Sequence, residues 1–415
     1  MTMPKLRFKS NELLREVSLS EVGNFYGGLS GKTKSDFGFG DSKFITYMNV
    51  FTNTIAKQDM CDLVMVGHNE KQNLVVDGDV LFTQSSETPE EVGMASVWTH
   101  KQKVYLNSFS FGLRIKNKQN VDPVYLTYLL RSPVYRKSIS IQAQGISRYN
   151  LSSSRLSTLK VKIPALEEQQ KIAAFFTALD RRIENCEKRL VTLEHLKKGL
   201  LQKMLSSNSR TLPEIRFKGF AGSWKAYKLS EVLDEIYVGQ TPRRNHKEFW
   251  NGAINWLSSR DLTRGFVEET AEKITDVGMK STRLRIVPYG TVVIAMIGLD
   301  AENTRGNCGI LKIDSTINQS CAALIPKKDK IIPEFLLHWY KFFGNDLALH
   351  YTQGTKQQNY NVDILSILPI HIPSLEEQKK ISAFLSTIDE QIVNGEKTKN
   401  NLIRLKNGLL QQMFI

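Results

Sequence analysis

The chain has 415 residues, 41% hydrophobic and 24% charged, the balance of a globular protein, which excludes a disordered or fibrous one. That length predicts two or three domains rather than a single core. The formal net charge of +14 is spread over both large segments defined below instead of sitting in a tail. A diffuse cationic surface suits a polyanion such as nucleic acid.

Taken in chain order, the start (Met1-Thr-Met-Pro-Lys-Leu-Arg-Phe8) has no apolar signal core. No run reaches the ~18 to 20 apolar residues of a membrane span, so a cytoplasmic protein without membrane contact is expected. Gly27-Gly-Leu-Ser-Gly-Lys-Thr33 resembles a phosphate-cradling loop, but the correctly spaced first position is Tyr26, not glycine. Asp36-Phe-Gly38 lacks the companion motifs of a kinase, and Gly38-x-Gly40 has no third glycine. The run 75–83 predicts a strand, with Asp77-Gly-Asp79 a hairpin turn rather than a magnesium site, and 123–132 predicts a helix. In the second half 291–298 predicts a strand and 333–343 a helix, so the expected class is mixed α/β. Cys61, Cys186, Cys308 and Cys321 have no metal-ligand spacing and are expected as free thiols. The seven histidines form no ligand pair, so neither catalytic nor metal residues are assigned.

The strongest signal is a repeat. At an offset of 209, residues 163–205 match 372–414 at 23 of 43 positions. Pro4-Lys-Leu-Arg-Phe-Lys9 matches Pro213-Glu-Ile-Arg-Phe-Lys218, Leu19-Ser-Glu-Val22 matches Leu229-Ser-Glu-Val232, and Gly145 and Asn150 recur as Gly354 and Asn359. Tyr26-x-Gly28-x-Ser30-x-Lys32 matches Tyr237-x-Gly239-x-Thr241-x-Arg243, which keeps an aromatic, a glycine, a hydroxyl and a cation but discards the phosphate-loop pattern. Five segments follow: a globular part over 1–162, a helix over 163–205, a linker over 206–210, a second globular part over 211–371 and a second helix over 372–415.

Ser374-x-x-Glu377 behind Pro373 predicts a capped helix start, and Ala165 stands at the same place in the first copy. Phe176, Leu179, Ile183, Cys186, Leu190 and Leu193 make one apolar stripe, which Leu196, Leu200 and Met204 continue after a phase slip. The second helix carries Leu385, Ile388, Ile392, Leu402, Leu405, Leu409 and Met413, interrupted at Gly395 and Lys399. A helix of ~57 Å with one apolar stripe needs a partner along its length. Mutual pairing through Phe176, Leu179, Ile183, Leu190, Leu193, Leu385, Ile388, Ile392, Leu402 and Leu405 is the expectation; the alternative is that each packs on its own globular part.

These two Leu-Glu-Glu-Gln helices, with the Tyr-x-Gly elements and the segments Val238–Leu262 and Ile317–Pro326, resemble the specificity subunit of type I restriction–modification enzymes. The resemblance covers essentially the whole chain. It implies a non-catalytic, sequence-specific DNA-binding protein with an internal pseudo-two-fold repeat. Two target-recognition domains, each reading half of a bipartite duplex site, would be separated by two long antiparallel helices. It further implies docking of two methyltransferase subunits, with room for two restriction subunits. S-adenosylmethionine, ATP and Mg would then sit on those partners and no cofactor on this chain. DNA-contacting residues are expected among Lys32, Lys34, Lys43, Arg148 and Tyr149 in the first half. In the second they are Arg243, Arg244, Lys247, Arg260, Asn303, Arg305, Lys356 and Gln358. A rival reading is a structural scaffold pairing two protein-binding modules without DNA, which would show no salt-dependent DNA affinity. If the helices act as a spacer, four residues added after Met204 would widen the gap between half-sites by one or two base pairs.

Overall fold

A computed structural model describes residues 4–8, 13–205, 212–299, 304–351 and 359–414. The expected linker at 206–210 lies outside the described residues. The chain divides into two compact units, one made of Met1–Lys188 with Lys397–Ile415 and the other of Arg189–Glu396. The boundary cuts both long helices near their middles, whereas the sequence reading sets its segment boundaries at the start of each helix and at the end of the first.

Each unit is mixed α/β, and the two share four strands of one sheet and three of another in the same order. In the first unit an antiparallel sheet runs Gly23–Gly27, Ser110–Ile115, Val80–Thr83, Ala95–Val97. In the second the order is Leu233–Val238, Cys321–Pro326, Val292–Ala295, Cys308–Leu311, with Gly265–Val267 added in parallel at the edge. A three-stranded sheet (Cys61–Val64, Phe37–Ile45, Tyr105–Leu106) recurs as Glu272–Ile274, Trp250–Leu257, Thr316–Ile317. The central strands Val80–Thr83 and Val292–Ala295 are buried at every residue. This explains why both read as continuous apolar runs rather than alternating ones.

The helix Pro123–Arg131 starts on Pro123, with Asp122 Oδ1 accepting the Tyr125 N–H at 2.7 Å. It stops at Ser132 because Pro133 opens a new helix, Pro133–Ser140. Its counterpart Pro333–Tyr351 contains no further proline and runs unbroken.

The long helices span Leu166–Met204 and Leu375–Met413; residues 163 and 372, expected to open them, are the last of strands Lys160–Ile163 and Pro369–Ile372. Their repeated Leu-Glu-Glu-Gln start is explained by two side chains. Glu168, 5% exposed, takes Arg7 Nε at 3.0 Å and Nη2 at 2.5 Å, and Glu377 takes Arg216 at 2.8 and 2.6 Å. Fully buried Gln169 accepts the Asp122 N–H and donates to the Asn120 and Pro164 carbonyls; Gln378 does the same with Ile332, Lys330 and Pro373. The expected capping box is thus only half formed: Ser374 Oγ accepts the Glu377 N–H at 3.4 Å, while the Glu377 carboxylate is spent on Arg216.

Beyond that start, each helix leaves its own half and completes the other core. Leu410, Met413 and Phe414 join the first unit's core, where Phe414 lies 5.8 Å from the Phe176 ring and 5.7 Å from Tyr125. Leu201, Met204 and Leu205 join the second core with Trp224, Phe335 and Leu385. Each such side chain contributes roughly 1.5–3 kcal/mol of burial. Within each unit the helices run antiparallel: Asp180 pairs with Lys406 at 2.6 Å in the first, and Lys197 with Asp389 in the second.

Those lysines correct the stripe. From Phe176 the spacing 3, 4, 3, 4 continues without a slip through Lys197 to Leu200 and Met204. Leu196 and Leu405, at equivalent places, are 50% and 51% exposed. Leu405 is therefore removed from the pairing set, because the half-buried position beside it is taken by Lys406 bound to Asp180. Leu179, Leu190, Leu385 and Ile388 are buried, and Ile183, Leu193, Ile392 and Leu402 are half-buried. Gly395 interrupts the stripe for a steric reason: a Cβ there would sit 2.8 Å from Leu190 Cδ2.

His338, 1% exposed in the second unit, has Nε2 3.2 Å from Ser386 Oγ, with Lys341, Lys197 and Asp389 around it. Burial, reinforced by Lys341, pushes its pKa down to about 4. The unfolded chain takes up a proton near pH 6.5 and the folded one only near 4, so stability falls as pH drops through that window. Between pH 7 and 5 this unit should lose about 2 kcal/mol. Thermal unfolding of His338→Gln should lose much of that pH dependence; an unaltered profile would remove His338 as its source.

Candidate nucleic-acid interface

The exposed surface of interest in each unit gathers at the end of the central strand. In the first unit Val80–Thr83 runs out into Gln84, whose N–H donates to the Phe109 carbonyl at 2.9 Å and whose carbonyl accepts the Leu151 N–H at 2.8 Å. Ser85 and Ser86 then pair with Asn150 and Tyr149, and the Tyr47 hydroxyl donates to the Ser85 carbonyl at 2.6 Å. The Tyr26-x-Gly28 turn closes the other side, with Gly28 N–H to the Ser110 carbonyl at 3.1 Å and Leu29 N–H to the Leu106 carbonyl at 2.8 Å. Gly28 is required by this approach, since a Cβ would lie 2.0 Å from the Asn107 carbonyl oxygen. Gly239 is held the same way, 1.7 Å from the Ile317 oxygen. The repeated glycine is thus a packing requirement.

The repeated tyrosine is structural too. The Tyr26 hydroxyl donates to Asp79 Oδ2 at 2.7 Å, and Arg114 grips the same carboxylate at 3.1 and 2.7 Å with its guanidinium 5.0 Å from the Tyr26 ring. The Val76 N–H completes the set at 3.0 Å. Burial, helped by the Asp79 charge, raises the Tyr26 phenol far above its ordinary range. In the second unit Tyr237 accepts the Arg285 N–H at 3.2 Å and carries the Arg285 guanidinium 4.3 Å above its ring. Asp79 is therefore a buried anchor. Among the described residues no three His, Cys, Asp or Glu side chains form a group able to hold a metal ion.

The cations expected to face DNA fall into two classes. Lys34, Lys43, Arg148, Arg243, Lys247 and Arg260 are exposed, and Tyr149 is half-buried beside Arg148. Lys32, Arg244 and Arg305 are engaged by the protein itself. Lys32 Nζ lies 2.7 Å from Glu70 Oε1, and that contact, with the Gly67 N–H and Gln72, draws the exposed Glu70 carboxyl down to about 2. Arg244 forks onto Glu272 and lies 3.9 Å from the Trp250 ring and 4.9 Å from Trp256. Its own pKa is raised by Glu272. Arg305 Nε donates to the Leu299 carbonyl at 2.8 Å. Asn303, Lys356 and Gln358 lie outside the described residues.

The sequence reading does not reach Gln84, Tyr47 or the turn 107–110, although it includes the equivalent segment Ile317–Pro326. The available signal was the asparagine shared by Leu106-Asn107 and Ile317-Asn318, at an offset of 211 rather than 209. Burial raises the thiol pKa of Cys61 to about 11 and of Cys308 to about 12, and all four cysteines are free.

The family model described as the type I restriction modification DNA specificity domain matches residues 11–195 and 222–405. Over 349 residues the chain is 23% identical to the putative type I restriction enzyme MjaX specificity subunit of Methanocaldococcus jannaschii, covering 83% of this chain and 79% of that one. It is 25% identical over 239 residues to the type I restriction enzyme EcoR124I/EcoR124II specificity subunit of Escherichia coli, 57% of each. The solved S subunit of a type I restriction-modification system from M. genitalium has the same fold at TM-score 0.64 and 14% identity, covering 100% of this chain and 99% of that one. A chain from work on assembly and conformational transition of a type I R-M system follows at 0.55 and 19%, covering 98% and 99%.

Replacing Asp79 by Asn leaves Arg114 facing a neutral amide and should cost about 2–3 kcal/mol. Denaturant unfolding of Asp79→Asn measures this; a midpoint equal to that of the parent would mean the carboxylate is dispensable.

Proposed function

Because the chain belongs to the type I restriction–modification DNA specificity family, we propose that it is the sequence-recognising subunit of such an enzyme, each unit reading one half of a bipartite duplex site. One observation supports this above the others. The two units keep the same strand order, the same glycine approach and the same helix clamps, while their exposed loops differ in sequence. A duplicated scaffold with divergent surfaces suits two different half-sites, whereas a scaffold for proteins gives no reason for a DNA specificity match.

In this reading Lys34, Lys43, Arg148, Arg243, Lys247 and Arg260 meet phosphates or base edges, joined by Tyr149 and, on sequence grounds, Asn303, Lys356 and Gln358. Lys32, Arg244 and Arg305 hold their loops in position and present what charge remains. Two methyltransferase subunits dock on the helices, where Leu196 and Leu405 are exposed at equivalent places. S-adenosylmethionine sits on those partners; ATP and Mg serve two restriction subunits where these join. The chain itself catalyses nothing and works in the cytoplasm; no described helix is long and apolar enough to cross a membrane.

Purified chain, alone and with its methyltransferase partner, should bind duplex DNA with an affinity that falls steeply with salt. Alone it should transfer no methyl group to DNA. Salt-independent binding, or methylation by the chain alone, would overturn the assignment.

The spacer expectation needs a different construction from an insertion after Met204, because Met204 and Leu205 are packed in the second core. Seven residues added after Lys188 together with seven after Glu396 keep the 3, 4 spacing and lengthen each helix by ~10.5 Å. The gap in the selected DNA site should grow by about three base pairs with both half-sites unchanged. An unchanged gap in a folded, DNA-binding variant would show that the helices do not set it.

A further inference from the structure

The turn beside the central strand occurs twice with the same internal wiring and different tips. In the first unit it is Asn107-Ser108-Phe109-Ser110 and in the second Asn318-Gln319-Ser320-Cys321. Both asparagines are buried, at 5% and 9% exposure. Asn107 N–H donates to the Ile45 carbonyl at 3.1 Å and Asn318 N–H to the Leu257 carbonyl at 2.8 Å. Each Asn Oδ1 accepts the N–H two residues on, from Phe109 at 2.9 Å and from Ser320 at 3.0 Å. Each Asn carbonyl accepts the N–H three residues on, at 3.2 Å in both units. The tip carbonyl then accepts the first N–H beyond the central strand, Gln84 at 2.9 Å and Met296 at 2.8 Å.

Four hydrogen bonds shared by the two copies fix the backbone of this turn; its buried fourth residue is Ser110 in one and Cys321 in the other, and the two side chains at its solvent-facing tip also differ. Ser108-Phe109 project from the first unit, with Phe109 61% exposed, and Gln319-Ser320 occupy the same two places in the second. A phenyl ring held in solvent by a rigid turn offers an apolar surface and no hydrogen bond. Gln319 offers an amide whose Oε1 is held by the Thr241 hydroxyl. The first tip adjoins the Gly28 turn on one side and, through Gln84, the strand pair carrying Tyr149 on the other, so it lies between two elements of the candidate surface.

We propose that this two-residue tip is a specificity-determining element, with Phe109 making apolar contact to bases of one half-site and Gln319 hydrogen-bonding base edges of the other. The proposal rests on the DNA reading above. An apolar side chain distinguishes thymine by its C5 methyl group, and an amide distinguishes adenine by its paired donor and acceptor. One scaffold carrying two tips then yields two different half-sites with no change of fold.

The test is selection from a random duplex library on the full-length chain, alone and with its methyltransferase partner, followed by affinity measurement on the selected duplex. Phe109→Ala should weaken that duplex by about 5- to 100-fold while a scrambled duplex binds as before. Uracil in place of thymine in the same half-site should weaken the parent and leave Phe109→Ala unaffected. The exchange S108Q/F109S should alter preference in that half-site alone, and Q319S/S320F in the other alone. Thermal unfolding should be unchanged in all of them, because the tip side chains carry none of the turn's conserved hydrogen bonds. Parental selection retained by both exchanges overturns the proposal. Failure of the unaltered chain to select any sequence overturns the DNA reading itself.

Discussion

Neither core in this protein is complete without a helix end that comes from the other half of the sequence. Phe414, Met413 and Leu410 fill the space against Phe176, Tyr125 and Leu129 in the first unit; Leu201, Met204 and Leu205 do the same in the second. The segments leading into each globular part follow the same rule, since Leu6 N–H donates to the Gln412 carbonyl and Ile215 N–H to the Lys203 carbonyl. Each globular part therefore supplies a docking surface twice, once for the start of its own helix through the Arg–Glu and Gln clamps and once for the end of the other. That constraint suits the 23 identities in 43 positions between 163–205 and 372–414, while the loops have diverged.

Inside the helix pair, the polar contacts select one arrangement. Asp180–Lys406 and Lys197–Asp389 are the same pair seen from both ends of the repeat. Burial works against the Lys197 charge, lowering its pKa, while the neighbouring lysines hold Asp389 below the ordinary carboxylate range. Charges this covered add little net stability, but a register slip would strand them unpaired. Their value lies in specifying the antiparallel register that an apolar stripe alone leaves loose.

The repeat and the long helices were legible because duplication and the 3, 4 spacing are properties of the sequence itself. The phase slip at Leu196 was a misreading with a physical cause. Hydropathy ranks Lys197 as surface, and only its pairing with Asp389 reveals it as an interior position. The capping box at Ser374 is half formed for the same kind of reason, since a distant Arg216 takes the Glu377 carboxylate. At the candidate interface residue type alone does not separate Lys43, which is exposed, from Arg244, which is bound to Glu272 and two indoles. The pairing partner lies 28 residues away and no local pattern announces it. The turn at Asn107 was missed because its twin lies at a different offset from the helices.

The borrowed helix ends also set an order in time. During synthesis the second unit finds Leu201–Leu205 already made, ahead of the residues it must pack against. The first unit must wait for Phe414, and Phe176 emerges 238 residues before it (414 − 176). At roughly 5–20 residues per second this is on the order of 12–48 s in which Tyr125 and Phe176 have no aromatic partner from the chain's end. A nascent chain stalled in its second half would display that uncovered pocket, a natural target for a chaperone that binds apolar surface.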